Sequence, residues 1–134
     1  MRRPKKHNGI HRSKFETNFL AQVTKKGFNL DYETSVLAYV SPIQKRKYNP
    51  DWTIKPGWYI ETKGRFTSSD RKKILLVKEQ HPKARILIVF QRQQNKLYKG
   101  SPTSYTEWCK ANDVECCGFE EQDKWLKFIQ EASK

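Results

Sequence analysis

The chain has 134 residues, 36% hydrophobic and 31% charged, and its 27 Lys and Arg against 14 Asp and Glu leave a net charge of +13. That length supports one domain with a hydrophobic core, and an aromatic content of 13% argues against general disorder. The charge makes a polyanion the first partner to consider, while the longest apolar run, residues 86–90, is far too short to span a bilayer.

Residues 1–12 carry Arg2, Arg3, Lys5, Lys6 and Arg12 and no acid, and read as a mobile basic arm that touches nucleic-acid phosphates. No apolar stretch follows them that would make a signal peptide, so an intracellular location and no membrane role are expected. Residues 13–134 form one domain. "SKFETNFLAQVTKKG" (13–27) predicts a helix. Ser13 and Glu16 fit a capping box, Phe15, Phe19, Leu20 and Val23 make an apolar stripe, and Gly27 is the stop. Residues 28–40 read as one extended strand and 43–50 as a basic connector. "DWTIK" and "WYIETK" predict a hairpin turning at Lys55-Pro56-Gly57.

A second helix is expected over 68–82, capped by Ser68 or Ser69, with Ile74, Leu75 and Val77 facing inward and His81-Pro82 ending it. "ARILIVF" (84–90) is almost wholly apolar, as a central strand covered on both faces is. After a polar loop, Ser104 and Glu107 fit a second capping box, opening a short helix to residue 112. Residues 113–119 predict a short strand and 120–134 an amphipathic helix. The order α, β, β, β, α, β, α, β, α describes an α/β domain, a mixed β-sheet flanked by helices. The three cysteines, Cys109, Cys116 and Cys117, form neither an even framework nor a C-x-x-C pair, and read as reduced packing thiols.

The chemistry concentrates in "YNPDWTIKPGWYIETKG" (48–64). Side chains two apart on a strand share a face, so Glu61 and Lys63 project together while Thr62 faces away. Asp51, at the start of the partner strand, approaches them across the hairpin. Hard carboxylates suit Mg²⁺ or Mn²⁺, and a metal beside an ammonium is the equipment of phosphodiester hydrolysis. A Glu-x-Lys pair alone is as a rule a surface ion pair. The Pro50-Asp51 step, the hairpin and the basic chain favour the catalytic reading.

"NPD…IETK" matches the PD…(D/E)-x-K pattern of restriction-endonuclease-like nucleases. With "YNPDW", "IETKG", "DRKKILLVKEQHP", "IVF" and above all "KLYKGSPTSY", residues 12–112 resemble the endonuclease I family of T-seven-like phages, which resolve Holliday junctions. The resemblance implies a restriction-endonuclease-like nuclease core that cuts four-way junctions and other branched DNA. It implies a catalytic set of Glu16, Asp51, Glu61 and Lys63. Asp51, Glu61 and the main-chain carbonyl of Thr62 would be metal ligands, with Glu16 acting through water, for two Mg²⁺ per site that Mn²⁺ can replace. It implies a domain-swapped homodimer exchanged over a bridge at about residues 37–48, and a place in the host cytoplasm.

Arg71, Lys72 and Lys73, and Lys96 and Lys99, then read as phosphate contacts along DNA arms. No helix rich in Asn, Gln and Arg offers groove readout, so structure-selective binding is expected. The rival readings are a sequence-specific or repair nuclease of the same superfamily and a non-catalytic basic DNA-binding protein.

Overall fold

The computed structural model describes residues 13–40 and 45–134. Helix α1 (Lys14–Lys25) starts at Ser13, whose hydroxyl accepts from the Glu16 N–H, and stops before Gly27, which takes the left-handed φ of 88° that a side chain resists. Strand β1 (Asp31–Tyr32) follows, then β2 (Leu37–Val40) and β3 (Lys45–Tyr48). The expected hairpin is β4 (Trp52–Lys55) and β5 (Trp58–Lys63), paired antiparallel around Pro56 and Gly57. Proline fixes the first corner and Gly57, with φ 92°, supplies the second.

The chain continues through α2 (Ser68–Gln80), β6 (Arg85–Phe90), α3 (Tyr105–Ala111), β7 (Glu115–Gly118) and α4 (Gln122–Ala132). The main sheet has five strands in the order β1-β4-β5-β6-β7. Its first pairings are antiparallel, and β5, β6 and β7 run parallel, so it is mixed as expected.

Strand β6 shows how the sheet divides two cores. Ile86, Ile88 and Phe90 point to one side, where they meet Ile74 and Val77 of α2, Tyr105 and Cys109 of α3, and Leu37, Tyr39 and Tyr48 of the β2–β3 pair. Leu87 and Val89 point to the other, where Phe15, Phe19 and Val23 of α1 and Trp125, Phe128 and Ile129 of α4 close over them. Each such side chain contributes about 1.5–3 kcal/mol on burial, so both faces hold the sheet firmly. Trp52 and Trp125 are fully buried core residues. No helix among the described residues is long and apolar enough to cross a membrane.

Several expectations are corrected. Residues 28–40 are not one strand: Glu33 adopts φ 55° and breaks the run between β1 and β2. The basic connector contains β3, in register with β2 from Leu37↔Tyr48 to Val40↔Lys45. The reason is that Tyr48 is a core residue while Arg46 and Lys47 face solvent, as an edge strand allows. Thr67, not Ser68 or Ser69, caps α2, since its hydroxyl and the Asp70 carboxylate complete a capping box. Leu75 is exposed, because Ile74 and Val77 take the inward positions. The capping box of Ser104 and Glu107 on α3 forms as read. Cys109, Cys116 and Cys117 are free thiols. Burial pushes Cys117 up to about 12, which keeps it protonated and inert.

Candidate active site

The antiparallel hairpin sets the start of β4 beside the end of β5, at the edge where parallel β5 and β6 finish. Asp51 is fixed there by its backbone: its carbonyl accepts from the Glu33 N–H at 2.9 Å, just beyond the β1–β4 ladder. Its N–H points to Oε1 of Glu61 at 3.4 Å. Its Oδ2 accepts from both the N–H and the hydroxyl of Thr62, each at 3.0 Å. Thr62 therefore does not simply face away. Its side chain lies on the Trp52 side of the sheet, taking a 3.2 Å bond from the indole N–H, and still reaches Asp51.

Glu61 and Lys63 share the opposite face. Lys63 Nζ lies 3.5 Å from Oε2 of Glu61 and 3.2 Å from Oδ1 of Asp70. The Tyr48 hydroxyl donates to Oε1 of Glu61 at 2.6 Å. Glu16 comes from α1, where the Ser13 half of the expected capping box forms and the Glu16 carboxylate accepts from the Tyr32 hydroxyl at 2.8 Å. Glu16, Asp51 and Glu61 are all buried.

These side chains converge on one cavity of about 320 Å³. Glu16, Asp51, Glu61, Thr62 and Lys63 all line it, so the structure gathers every residue expected at the centre. Lys73 lines it as well, alone among the three basic residues expected on α2. Arg71 instead donates to its own chain, at the carbonyl of Phe66, 2.7 Å away. Lys72 is exposed outside the cavity. Lys96 and Lys99 line a second cavity of about 340 Å³. Arg2, Arg3, Lys5, Lys6 and Arg12 lie outside the described residues.

Three residues of the site escape sequence reading. Tyr48 and Asn49 fall in what reads as a connector, and Asp70, a first-turn acid of α2, is not singled out at all. Only the capping pattern Thr67-x-x-Asp70 was there to find.

The electrostatics are those of an anionic centre. Burial, and then the neighbouring charges of Glu61 and Glu16, push the Asp51 carboxyl well above the usual carboxylate range. Burial works against the Lys63 ammonium, but Glu61, Asp70 and Asp51 outweigh it and raise its affinity for the proton. Such a set of repelling, hard oxygens suits a divalent cation. The Oδ1 of Asn49, buried in the cavity wall, has no hydrogen-bond partner among the described residues and adds another oxygen. Among the described residues, no three Asp, Glu, His or Cys side chains converge into a complete ligand shell.

The sequence profile of the phage endonuclease I family matches residues 1–133. An endodeoxyribonuclease 1 from Enterobacteria phage T3 is 47% identical over 103 residues, covering 77% of this chain and 68% of that protein. An endonuclease I from Escherichia phage T7 is 41% identical over 119 residues, covering 89% of this chain and 80% of that protein.

Proposed function

The chain belongs to the phage endonuclease I family, and from that premise we propose that it is a metal-dependent DNA endonuclease that resolves four-way junctions and other branched DNA as a homodimer. The observation that carries the reading is the convergence of Glu16, Asp51, Glu61 and Lys63 on one polar cavity of a strongly basic protein. The core is that of the restriction-endonuclease-like nucleases, with Pro50-Asp51 and Glu61-Thr62-Lys63 as its signature.

Asp51, Glu61 and the main-chain carbonyl of Thr62 would hold Mg²⁺, or Mn²⁺ in its place, with Glu16 serving a second ion through water. Bound there, the cation would polarise the scissile phosphate and lower the pKa of a water. Thr62 fixes one oxygen of Asp51, Oδ2, through two hydrogen bonds, at the wall of the cavity. Lys63 stays protonated and places a positive charge where the phosphate gathers negative charge. Asp70 holds that ammonium in position from the far side. Lys73 and the basic arm of residues 1–12 draw the DNA backbone toward the acidic centre.

The preference for junctions rests on the family and on a pair of sites suited to two cuts in opposed strands. The β2–β3 hairpin is the natural point of exchange: opened, it would pass α1 and β1 to a second copy and let them repack against the same partners. Work in the host cytoplasm fits a phage enzyme of this kind.

The test compares cleavage of a four-way junction with cleavage of a linear duplex of the same arm sequence, with and without Mg²⁺. Cutting of the junction alone, in Mg²⁺ alone, is the expected result. Equal cutting of both would point to a sequence-specific or repair nuclease. Binding without cutting in any divalent metal would leave a non-catalytic DNA-binding protein.

A further inference from the structure

The second cavity lies across Phe66 from the first, and Phe66 lines both. It is built on the loop between β6 and α3, the "KLYKGSPTSY" stretch. The loop is held in one shape. Lys96 and Ser104 form a β-bridge, the Leu97 N–H donates to the Thr103 carbonyl at 3.0 Å, and the Ser101 N–H donates to the Tyr98 carbonyl at 3.0 Å. Gly100 completes the turn at φ 87°. The effect of this bracing is to hold Tyr98 out in water, 63% exposed, although it is an aromatic residue that nothing in the fold needs there. Arg65, Lys96 and Lys99 surround the same cavity. Its floor is fixed too: the rings of Phe66 and Tyr105 meet edge to face with centroids 5.8 Å apart, and the Phe66 N–H donates to the Tyr105 hydroxyl.

Cations around an aromatic face are the chemistry of single-stranded nucleotide binding, in which the phosphate meets the charge and the base stacks on the ring. A base inside a continuous duplex already has two stacking neighbours and offers no free face. A base at a branch point can give one up. We propose that Tyr98, with Arg65, Lys96 and Lys99, forms a binding site for one unstacked nucleotide of the DNA substrate, next to the phosphate held in the catalytic cavity. The inference rests on the nuclease reading for its ligand. It adds to that reading a residue that distinguishes branched from continuous DNA. Tyr98 stacks, and the three cations hold the flanking phosphates without reading sequence.

The experiment is a binding cycle with the full chain in an Asp51→Asn background, which separates binding from cutting. Tyr98→Ala and Tyr98→Phe are each measured on a four-way junction, on a linear duplex, and on junctions in which each branch-flanking nucleotide is made abasic in turn. Tyr98→Ala should weaken junction binding about tenfold, as loss of one stacked base does, while Tyr98→Phe stays near the parent. Duplex binding should not change. At one abasic position the Tyr98→Ala effect should vanish, because ring and base report a single contact. An effect equal on junction and duplex, or additive with every abasic site, overturns the proposal. Melting temperature checks that the exposed substitution leaves the fold intact. Cleavage by the native enzyme is scored separately. Cutting without ring–base coupling removes the nucleotide site alone, and coupling without cutting removes the catalytic reading alone.

Discussion

The hydroxyl of Tyr48 donates a 2.6 Å hydrogen bond to Oε1 of Glu61 within the cavity that gathers Glu16, Asp51, Glu61 and Lys63. It ties the β2–β3 pair to the site, since Tyr48 is the last residue of β3. Such a bond sets which oxygen of Glu61 is free for a cation. Tyr48→Phe should keep the ring in its core place and lose the bond. The expected outcome is a loss of about 10–100-fold in activity at limiting Mg²⁺, recovered in part at high Mg²⁺. A Mg²⁺ titration of junction cleavage measures it.

Asp70 serves two structures at once. One oxygen caps α2 by accepting from the Thr67 N–H at 2.9 Å, and the other meets Lys63 Nζ at 3.2 Å. Burial tends to raise its pKa, but Lys63 and the bonds from Thr67 prevail and lower it from the ordinary 3.8. A lowered carboxylate pKa means stability that is present above the unfolded value and lost as pH falls through the folded one. Asp70→Ala should cost about 1 kcal/mol near neutrality, as loss of a helix cap does. The difference from the parent should narrow below pH 3.8. Chemical denaturation at several pH values reads this, and cleavage should fall because Lys63 is no longer held.

Asp51 has the opposite sign. Its pKa is raised by burial, then by Glu61 and Glu16, so the folded state takes up its proton at a higher pH than the unfolded chain. Without metal, stability should therefore rise as pH falls through the folded pKa toward 3.8. Asp51→Asn removes the buried charge while its amide oxygen can still accept from Thr62. The metal-free variant should melt a few degrees higher than the parent at neutral pH, about 3–5 °C for each kcal/mol gained in a chain of this length. The parent should gain stability from Mg²⁺ and the variant should not. Thermal melts with and without Mg²⁺ check both statements.

The proposed exchange of α1 and β1 between subunits has its own test. A heterodimer of a Glu16→Ala chain and a Lys63→Ala chain, formed during synthesis and purified by two tags, carries both defects in one site and none in the other if the chains are swapped. It should nick one strand of a junction while each mutant homodimer stays inactive. If each site is built within one chain, every site is defective and nicking does not return.

How far the sequence reveals this protein depends on whether a feature is local. The hairpin turn at Pro56-Gly57, the cap at Ser104 and the apolar run of β6 each contain their own cause, and all form where read. β3 does not, because Lys45-Arg46-Lys47-Tyr48 is held as a strand by pairing with β2 and by the single buried ring of Tyr48. Glu33 could not be foreseen as a break, since glutamate seldom adopts a left-handed backbone. The same division runs through the site. The spacing of Glu61 and Lys63 and the hairpin placing Asp51 are local and legible. Glu16 reaches the cavity only by tertiary packing of α1, and resemblance alone pointed to it. Tyr48, Asn49 and Asp70 carry no chemical signature until the fold brings them to the wall.

The most direct measurement is cleavage of a four-way junction in Mg²⁺ by the native chain, Asp51→Asn and Glu61→Gln, with junction binding measured in parallel. Loss of an anionic ligand removes several kcal/mol of transition-state stabilisation, so each variant should cut at least about 10³-fold more slowly while binding the junction as tightly as the native chain. Native-like cutting by either variant in Mg²⁺ would contradict the assignment of this cavity as the metal-dependent nuclease site.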